Sequence, residues 1–508
     1  MLLQDPAYVR QDVLDGRKDK ENIDSVFDPE FFRENAQLVA EKLEKHLSDK
    51  SIKGLNIESP LILLDKVKEL MNHVGDQTAS QQQKLSAILD LYIDTGIQVQ
   101  SAGYMGRQFS SVIPLAAIFD FVSSTLNQPA SFYEAAQMPN VVEKIMADEL
   151  NQFIGWPTGR FAMITTSGGS LANMTAILAA RNDKFPDFWA KGTSTNPNLR
   201  PAIAVGADSH YSVCRAAGVL GIGEEQIVRL PLTAEKKIDP SAVPSILEAS
   251  KRKGLKVFCL VASAGTTSLG AFDQLDKLAR ITEKNDIWLH VDGSHGASLL
   301  VSDRYRSKLR GIEQVDSFTW DAHKMMFMPA MNTLLFYKNK PKSYGAFRQD
   351  ASYVFEKQRD VYSEFESAKQ NFECTKRPMI MNLWVTWMMY GKTLFSDKIE
   401  YLCDLTFSAY QTLKLEKDFA TIHRPESNIM CFRYLPEQLP HGLSLGNLQL
   451  SIRNRLRKEG RFFISKVDID GVCALRVVFM NHKIELSHFH LLLDEIREIG
   501  QKIINSSN

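Results

Sequence analysis

Lys324 is the residue whose surroundings most need a chemical explanation. It lies in SFTWDAHKMMFMPAM (317–331), where Met325, Met326, Phe327 and Met328 are poor company for a solvated lysine. Burial lowers a lysine pKa, and the neutral amine is the form that condenses with an aldehyde to give an imine. A lysine snorkelling from the edge of a core is the plainer reading of the same run. Asp292, in IWLHVDGSHG (287–296), ends an apolar stretch, where a carboxylate is costly to bury without a cationic partner. A protonated pyridine nitrogen is one such partner; a strand-to-loop turn is the plainer one. In Thr166-Ser167-Gly168-Gly169-Ser170 the glycines let the backbone approach an anion, and the start of the next helix offers free N–H groups to a phosphate. Such turns before helices are also common without a ligand. His210, in VGADSHYSVCRAAG (205–218), is suited to stacking on an aromatic ring and contacting a carboxylate, or to a purely structural place.

The elements that must hold these residues follow from the hydrophobic pattern. Short β-rich runs at Ala202 to Val205, Val257 to Ser263, Ile287 to Val291, Ser317 to Trp320 and Thr333 to Tyr337 alternate with helical stretches at Leu171 to Arg181, Pro240 to Lys253 and Leu275 to Glu283. Strands with few polar residues, alternating with helices, indicate an α/β domain around a buried, mostly parallel sheet. Ligands in such sheets sit beyond the carboxyl ends of the strands, where the four candidate segments fall. Before this region, residues 1–100 read as helices, among them Phe31 to Leu47 and Leu85 to Ile97. A large α/β domain is expected over 101–393 and a smaller α+β domain over 394–508, with strands at Ser427 to Tyr434 and Ala474 to Met480 and helices at Leu448 to Lys458 and Leu486 to Ile504. A chain of 508 residues exceeds one hydrophobic core, which fits this division. Its 60 basic and 60 acidic residues balance, arguing against nucleic acid or an anionic membrane as partner. Six scattered cysteines and an opening segment without an apolar leader core point to a reducing, cytoplasmic setting. No run is long and apolar enough to span a bilayer. His73, His295 and the remaining histidines have no metal-ligand spacing and are read as structural or pocket-lining.

The order of the four candidate segments matters more than any one of them. With TSGGSLAN (166–173), DSHYS (208–212), SAGTTSLGAFD (263–273), WLHVDGSHG (288–296), DSFTWDAHK (316–324) and LRVVFMN (475–481), the chain resembles the group II pyridoxal 5′-phosphate (PLP) dependent amino-acid decarboxylases from about Ser101 to Asn481. That family includes glutamate, cysteine-sulfinate, diaminobutyrate and aromatic amino-acid decarboxylases. The resemblance implies an α/β fold of the PLP-dependent transferase type I (aspartate aminotransferase-like), a bound PLP and an amino-acid substrate. It further implies that Lys324 carries PLP as a Schiff base, Gly169 and Ser170 hold the phosphate, His210 stacks on the ring and Thr267 lies beside it. Asp292 would pair with the ring nitrogen, Asp321 would take a position often occupied by Asn, and His323 would sit near the phosphate. Arg476 matches the arginine that pairs with the substrate α-carboxylate. A homodimer with its active site at the interface, in which the N-terminal helices take part, is implied as well.

Two departures bear on the substrate and the product. Arg107, in GYMGRQFS, stands where glutamate decarboxylases carry Gln and aromatic decarboxylases Tyr. Facing the side-chain pocket, an arginine favours a distal acidic group, as in aspartate, glutamate or cysteine sulfinate; turned outward, it would serve a surface carboxylate. Asn127-Gln128 and Tyr133-Glu134 keep a diamino acid such as 2,4-diaminobutyrate as the alternative. In the loop Ala351 to Cys374, Phe365 falls at the position read as the family's proton-donating Tyr, and Phe cannot donate a proton. Tyr362, three residues upstream, is the candidate to replace it; otherwise the product would be an aldehyde. A catalytically silent scaffold homologue is the reading from another class, and the intact set Lys324, Asp292, His210 and Arg476 speaks against it.

Overall fold

The computed structural model describes residues 25–75, 79–193, 198–347 and 362–507. Its centre is a seven-stranded sheet built from β1 (Ala162–Thr166), β2 (Arg200–Gly206), β3 (Ile227–Leu230), β4 (Leu255–Ser263), β5 (Trp288–Asp292), β6 (Ser317–Asp321) and β7 (Thr333–Tyr337). The spatial order is β1-β7-β6-β5-β4-β2-β3. Neighbours from β6 to β3 run parallel, while β7 is antiparallel to both β6 and β1. The result is an α/β fold with a mainly parallel sheet.

Side chains alternate across this sheet into two apolar layers. Leu289, Val291, Leu334 and Phe336 join one core cluster, whereas Trp288, Leu335 and Tyr337 join the other. The second layer is roofed by the helix Gly169–Lys184, whose Ala172, Ala176, Ala179 and Ala180 are buried and allow close approach to the strands. Helices Val243–Arg252 and Leu275–Lys284 cover the first layer through Val243, Leu247, Leu275 and Leu278. Every strand the pattern suggested is present. Strands β1 and β3 went unread, as did the helix Pro60–Gly75.

In the N-terminal region helices span Pro29–Ser48 and Gln81–Asp94. The second begins and ends earlier than the expected Leu85 to Ile97; it stops before Gly96 because that residue, at φ +91°, turns the chain and Gly96–Ile97 pairs antiparallel with Leu55–Asn56. Towards the C-terminus the helix Ile380–Leu415 kinks at Gly391, which has φ +64°. Beyond it β8 (Phe419–Thr421), β9 (Ile429–Tyr434), β10 (Ser465–Ile469) and β11 (Val472–Val478) form an antiparallel sheet in the order β8-β9-β11-β10. Helices Leu445–Glu459 and Leu486–Ser507 pack on it through Leu448, Ile452, Phe489 and Ile496. Among the described residues no helix is long and apolar enough to cross a membrane.

Candidate active site

The carboxyl ends of β1, β2, β5 and β6 bring most of the candidate residues together. After β1, Gly168 adopts φ +126° and the helix Gly169–Lys184 begins. Leu171 and Ala172 donate to the Gly168 carbonyl, which leaves the Gly169 and Ser170 N–H groups without a backbone partner among the described residues. Gly169 has no room for a side chain: a Cβ there would stand 2.6 Å from Ser294 Oγ and 3.0 Å from Asp321 Oδ1. Helix start, Asp321 and the β5 loop therefore meet at one point, and a half-buried phosphate-sized anion would find N–H donors and a positive helix end there.

Lys324 follows β6, with its Nζ 3.0 Å from Asp321 Oδ2 and its side chain 19% exposed. Asp321 also accepts from Thr333 Oγ1 at 2.6 Å, so the carboxylate is held from two strands. His323 Nε2 stands 3.5 Å from Asp321 Oδ2, and its Nδ1 accepts from the Asn332 N–H at 3.1 Å.

Asp292, at the end of β5, accepts from Asn173 Nδ2 at 2.9 Å and from Ser294 N at 3.2 Å. Burial pushes its pKa up, but the Lys324 charge, the Ser294 bond, His210 and Asn173 together outweigh burial and hold it below the usual carboxylate value. Asp292 is thus an anion poised in a largely enclosed site, suited to a cationic ring nitrogen. His210 lies after β2, anchored through Nδ1 to Ser212 Oγ (2.9 Å). Burial lowers its pKa, opposed by the nearby Asp292 charge, so a neutral, flat ring faces the site.

Arg476 enters from β11 of the small sheet. Its Nε donates to the Ser268 carbonyl (3.0 Å) and its Nη1 to Ser465 Oγ (2.9 Å) and the Gly106 carbonyl (3.4 Å). Nη2 is buried and has no partner. Burial, with Arg107 nearby, pushes the guanidinium pKa down to about 10, so the group stays charged at neutral pH. A buried cation with one free donor is built to receive an anion.

Other expected residues stand further out. Thr267 is exposed on the turn between Thr266 and Ser268, and Arg107 is exposed without an ion-pair partner among the described residues. Tyr362 opens the short turn Tyr362–Phe365, but its side chain and the loop before it lie outside the described residues. Phe365 packs against Tyr133 (ring centroids 5.9 Å apart), and its neighbour Glu364 is tied to Lys340 at 3.0 Å. Lys340 follows the end of β7 that pairs with Ser317, the far end of β6 from Asp321. The structure therefore does not bring Phe365 to Lys324 of its own chain.

Several site residues escaped the sequence reading. Asn173 and His290 lie behind Asp292, linked at 3.0 Å. His295, expected to be structural or pocket-lining, bonds Asn428 Oδ1 at 2.7 Å; burial first and the Lys324 charge second push its pKa down to about 3. Asn173 carried a signal, being a polar residue in an otherwise alanine-rich buried helix face.

The residues present fit PLP: a phosphate cradle that a Cβ would fill, a buried anion, a flat neutral ring, a lysine and an orphaned guanidinium nitrogen. Such a fold and site fit a PLP-dependent enzyme. The pyridoxal-dependent decarboxylase conserved domain matches residues 65–435, and the chain belongs to that family. It is 28% identical over 483 residues to human acidic amino acid decarboxylase GADL1, covering 93% of this chain and 91% of that one. Among solved structures, mouse CSAD shares 23% identity at TM-score 0.83, covering 93% of this chain and 99% of its own. Oryza sativa TDC, solved with PLP and tryptamine, shares 18% identity at TM-score 0.85, covering 94% and 99%. The chain is accordingly a PLP-dependent amino-acid decarboxylase, a carboxy-lyase.

Proposed function

We propose that this chain removes the α-carboxyl group of an acidic L-amino acid such as aspartate, glutamate or cysteine sulfinate, releasing carbon dioxide and an amine. The observation that carries the reading is the free, buried Nη2 of Arg476, with the unpaired Arg107 close enough to depress its pKa. One cation is suited to the α-carboxylate and the other to a distal acid. The 28% identical human relative is named for acidic amino acids, which supports the same choice.

When bound, PLP supplies an aldehyde for the amine and a ring that takes up the electron pair left as carbon dioxide departs. The chain's part is positional and electrostatic. With PLP bound, Lys324 would carry the cofactor, Gly169 and Ser170 would hold its phosphate with His323 beside it, and His210 and Thr267 would line the ring. Asp292 would pair with the ring nitrogen. Asp321, 3.0 Å from Lys324 Nζ, would orient the lysine, and the free Nη2 of Arg476 would hold and orient the substrate α-carboxylate. Tyr362 is the candidate to return a proton to the α-carbon.

Purified protein is expected to show a visible cofactor band that Lys324→Ala abolishes. Carbon dioxide release from a panel of L-amino acids should favour acidic side chains; preference for 2,4-diaminobutyrate would defeat the Arg107 argument. The aldehyde-forming alternative rests on Phe365, which shares the turn Tyr362–Phe365 with the candidate proton donor, so the position of that turn does not separate the two outcomes. Oxygen uptake with peroxide matching carbon dioxide would favour the aldehyde, and stoichiometric amine without oxygen uptake would exclude it.

We also infer a homodimer in the cytoplasm. Leu61 (73% exposed) and Met71 (69%) on the helix Pro60–Gly75, with Ile118 (59%) and Leu126 (61%) on the helix Pro114–Leu126, are large apolar side chains open to solvent, of the kind a subunit interface covers. A fully active monomer in sedimentation analysis would overturn this.

A further inference from the structure

The hydrogen bonds behind Asp292 have one polarity. Trp288 Nε1 donates to Ser317 Oγ (2.9 Å), which lies 2.9 Å from His290 Nδ1; His290 Nε2 lies 3.0 Å from Asn173 Oδ1, and Asn173 Nδ2 reaches Asp292 Oδ2 at 2.9 Å. The donor at each step follows by elimination. An ionised carboxylate only accepts, so the Asn173 atom facing it is the NH₂, and the atom facing His290 is the carbonyl oxygen. A carbonyl also only accepts, so His290 carries a proton on Nε2. His290 is completely buried, and burial pushes its pKa down to about 4, so near neutrality its Nδ1 is bare. The Ser317 hydroxyl then donates to Nδ1 while its oxygen receives the Trp288 N–H.

Asn173 has a second N–H, and it too is used. It donates to Ser212 Oγ at 3.1 Å, and Ser212 Oγ stands 2.9 Å from His210 Nδ1. That Nδ1 also receives the Ser212 N–H at 3.3 Å, so it is an acceptor and His210 carries its proton on Nε2. A flipped Asn173 amide would present its carbonyl to Asp292 and leave His290 facing an NH₂ group. Both contacts would be lost at once.

We propose that Asn173 is a positioning residue joining Asp292 to His210, and that the buried His290, aided by Thr319 Oγ1 donating to the same Asn173 Oδ1 at 3.2 Å, fixes its orientation so that every donor in the chain points towards the Asp292 carboxylate. The inference rests on the reading that Asp292 faces the ring nitrogen of PLP. Its consequence is that the pairing of carboxylate and ring depends on a residue about three hydrogen bonds away from any cofactor atom.

The test uses full-length holoenzyme and reads PLP dissociation by loss of the visible band on dilution, with thermal unfolding as the folding control. His290→Phe keeps the volume and removes the donor; His290→Gln places an amide N–H near the position of Nε2–H. His290→Phe is expected to raise the PLP Kd about tenfold, as for one lost hydrogen bond to a charged group's support, and His290→Gln to stay within about threefold of the parent. Ser317→Ala deletes one hydroxyl at the far end of the chain, leaves every cofactor-facing group in place, and is expected to raise Kd about threefold. An unchanged Kd in His290→Phe or in Ser317→Ala overturns the proposal, as does equal weakening by Phe and Gln, which would reduce His290 to packing. Asp292→Asn separates the two levels of the argument. If it leaves Kd and the band unchanged, the placement of Asp292 falls and the relay with it; if it weakens binding while the His290 and Ser317 variants do not, the relay alone falls.

Discussion

Arg476→Met is the substitution whose effect the structure specifies most fully. Arg476 is 5% exposed and spends three of its donor contacts on the protein, at 2.9, 3.0 and 3.4 Å, with Nη2 left over. A charge-assisted bond from Nη2 to a substrate carboxylate contributes about 2–3 kcal/mol. At about 1.4 kcal/mol per decade, its loss lowers kcat/KM by roughly 30- to 150-fold. Stability responds differently. Methionine of similar length abandons three acceptors, at about 1 kcal/mol each, but also removes a desolvated charge, and such replacements are often close to neutral. The expected outcome is therefore a large loss of kcat/KM, carried mostly by KM, with an unchanged cofactor band and a Tm within a few degrees. Arg476→Lys should fall between, because an ammonium cannot hold Ser268, Ser465 and a carboxylate in one plane. Carbon dioxide release kinetics and calorimetry on the same preparations decide it. An Arg476→Met enzyme within threefold of the parent would refute the assignment, and a collapse in Tm with loss of PLP would make Arg476 structural instead.

Other perturbations have equally definite outcomes. Gly169→Ala drives a methyl against Ser294 and Asp321, so PLP affinity should fall at least about tenfold while the apoprotein still unfolds cooperatively; equilibrium dialysis reads this. Lys376 and Glu143 form an ion pair at 3.0 Å with 1% and 3% side-chain exposure, backed by Thr165 just before the turn at Gly168. Lys376→Met alone should cost about 3–5 kcal/mol, and the double change with Glu143→Leu should recover most of it in a Tm series. His290 and His295 have folded pKa values of about 4 and about 3, below the ordinary 6.5, so their stabilisation is complete above pH 6.5 and is lost as pH falls towards 4. Asp273, pushed up to about 6 by burial, acts oppositely and recovers part of the loss below pH 6. The share of any fall in apoprotein Tm between pH 6.5 and 4 that comes from His295 should disappear in His295→Gln, leaving a flatter pH profile than the parent's.

How much of this was legible in the sequence depended on whether a residue's partners lie nearby along the chain. The strands β4, β5, β6 and β7 are continuous apolar runs because both of their faces are covered, and they were read with nearly correct ends. Strand β3, with the sequence IVRL, sits at the sheet edge with Arg229 exposed, and so looks like a loop. Strand β1 ends in the buried Thr165 and Thr166, and the Thr165 hydroxyl finds its partners in Glu143 and Lys376, 22 and 211 residues away. Lys324, Asp292, His210 and Gly169 were legible because each follows its strand directly, which fixes the end of the sheet it occupies. The partners of Arg476 were not: Ser268 is 208 residues away and meets it only through the docking of the small sheet. Likewise His295 shows its place only when Asn428 closes on it.

Those last contacts explain how product release can be built into the fold. Side-chain links join the small sheet and its flanking loop to the large domain. Among them, Arg476 bonds the Ser268 carbonyl, Asn428 bonds His295, and Glu426 bridges Lys237 (2.9 Å) and Lys308 (2.8 Å). A substrate carboxylate on Nη2 of Arg476 would add a further link, because the same molecule would be held at its other end by residues of the large domain. Binding of a carboxylate ligand must then stabilise the closed seam by RT ln(1 + [L]/Kd), about 2.7 kcal/mol at a hundredfold excess over Kd. The amine product has lost the α-carboxylate and keeps only its distal acid, so it would not make that link to Arg476. A holoenzyme saturated with a non-reactive carboxylate analogue of the preferred substrate should therefore melt several degrees higher than one with the matching amine at the same concentration, and Arg476→Met should erase the difference. Equal Tm values in the parent would show that Arg476 does not distinguish the two, and that release of the amine is governed elsewhere.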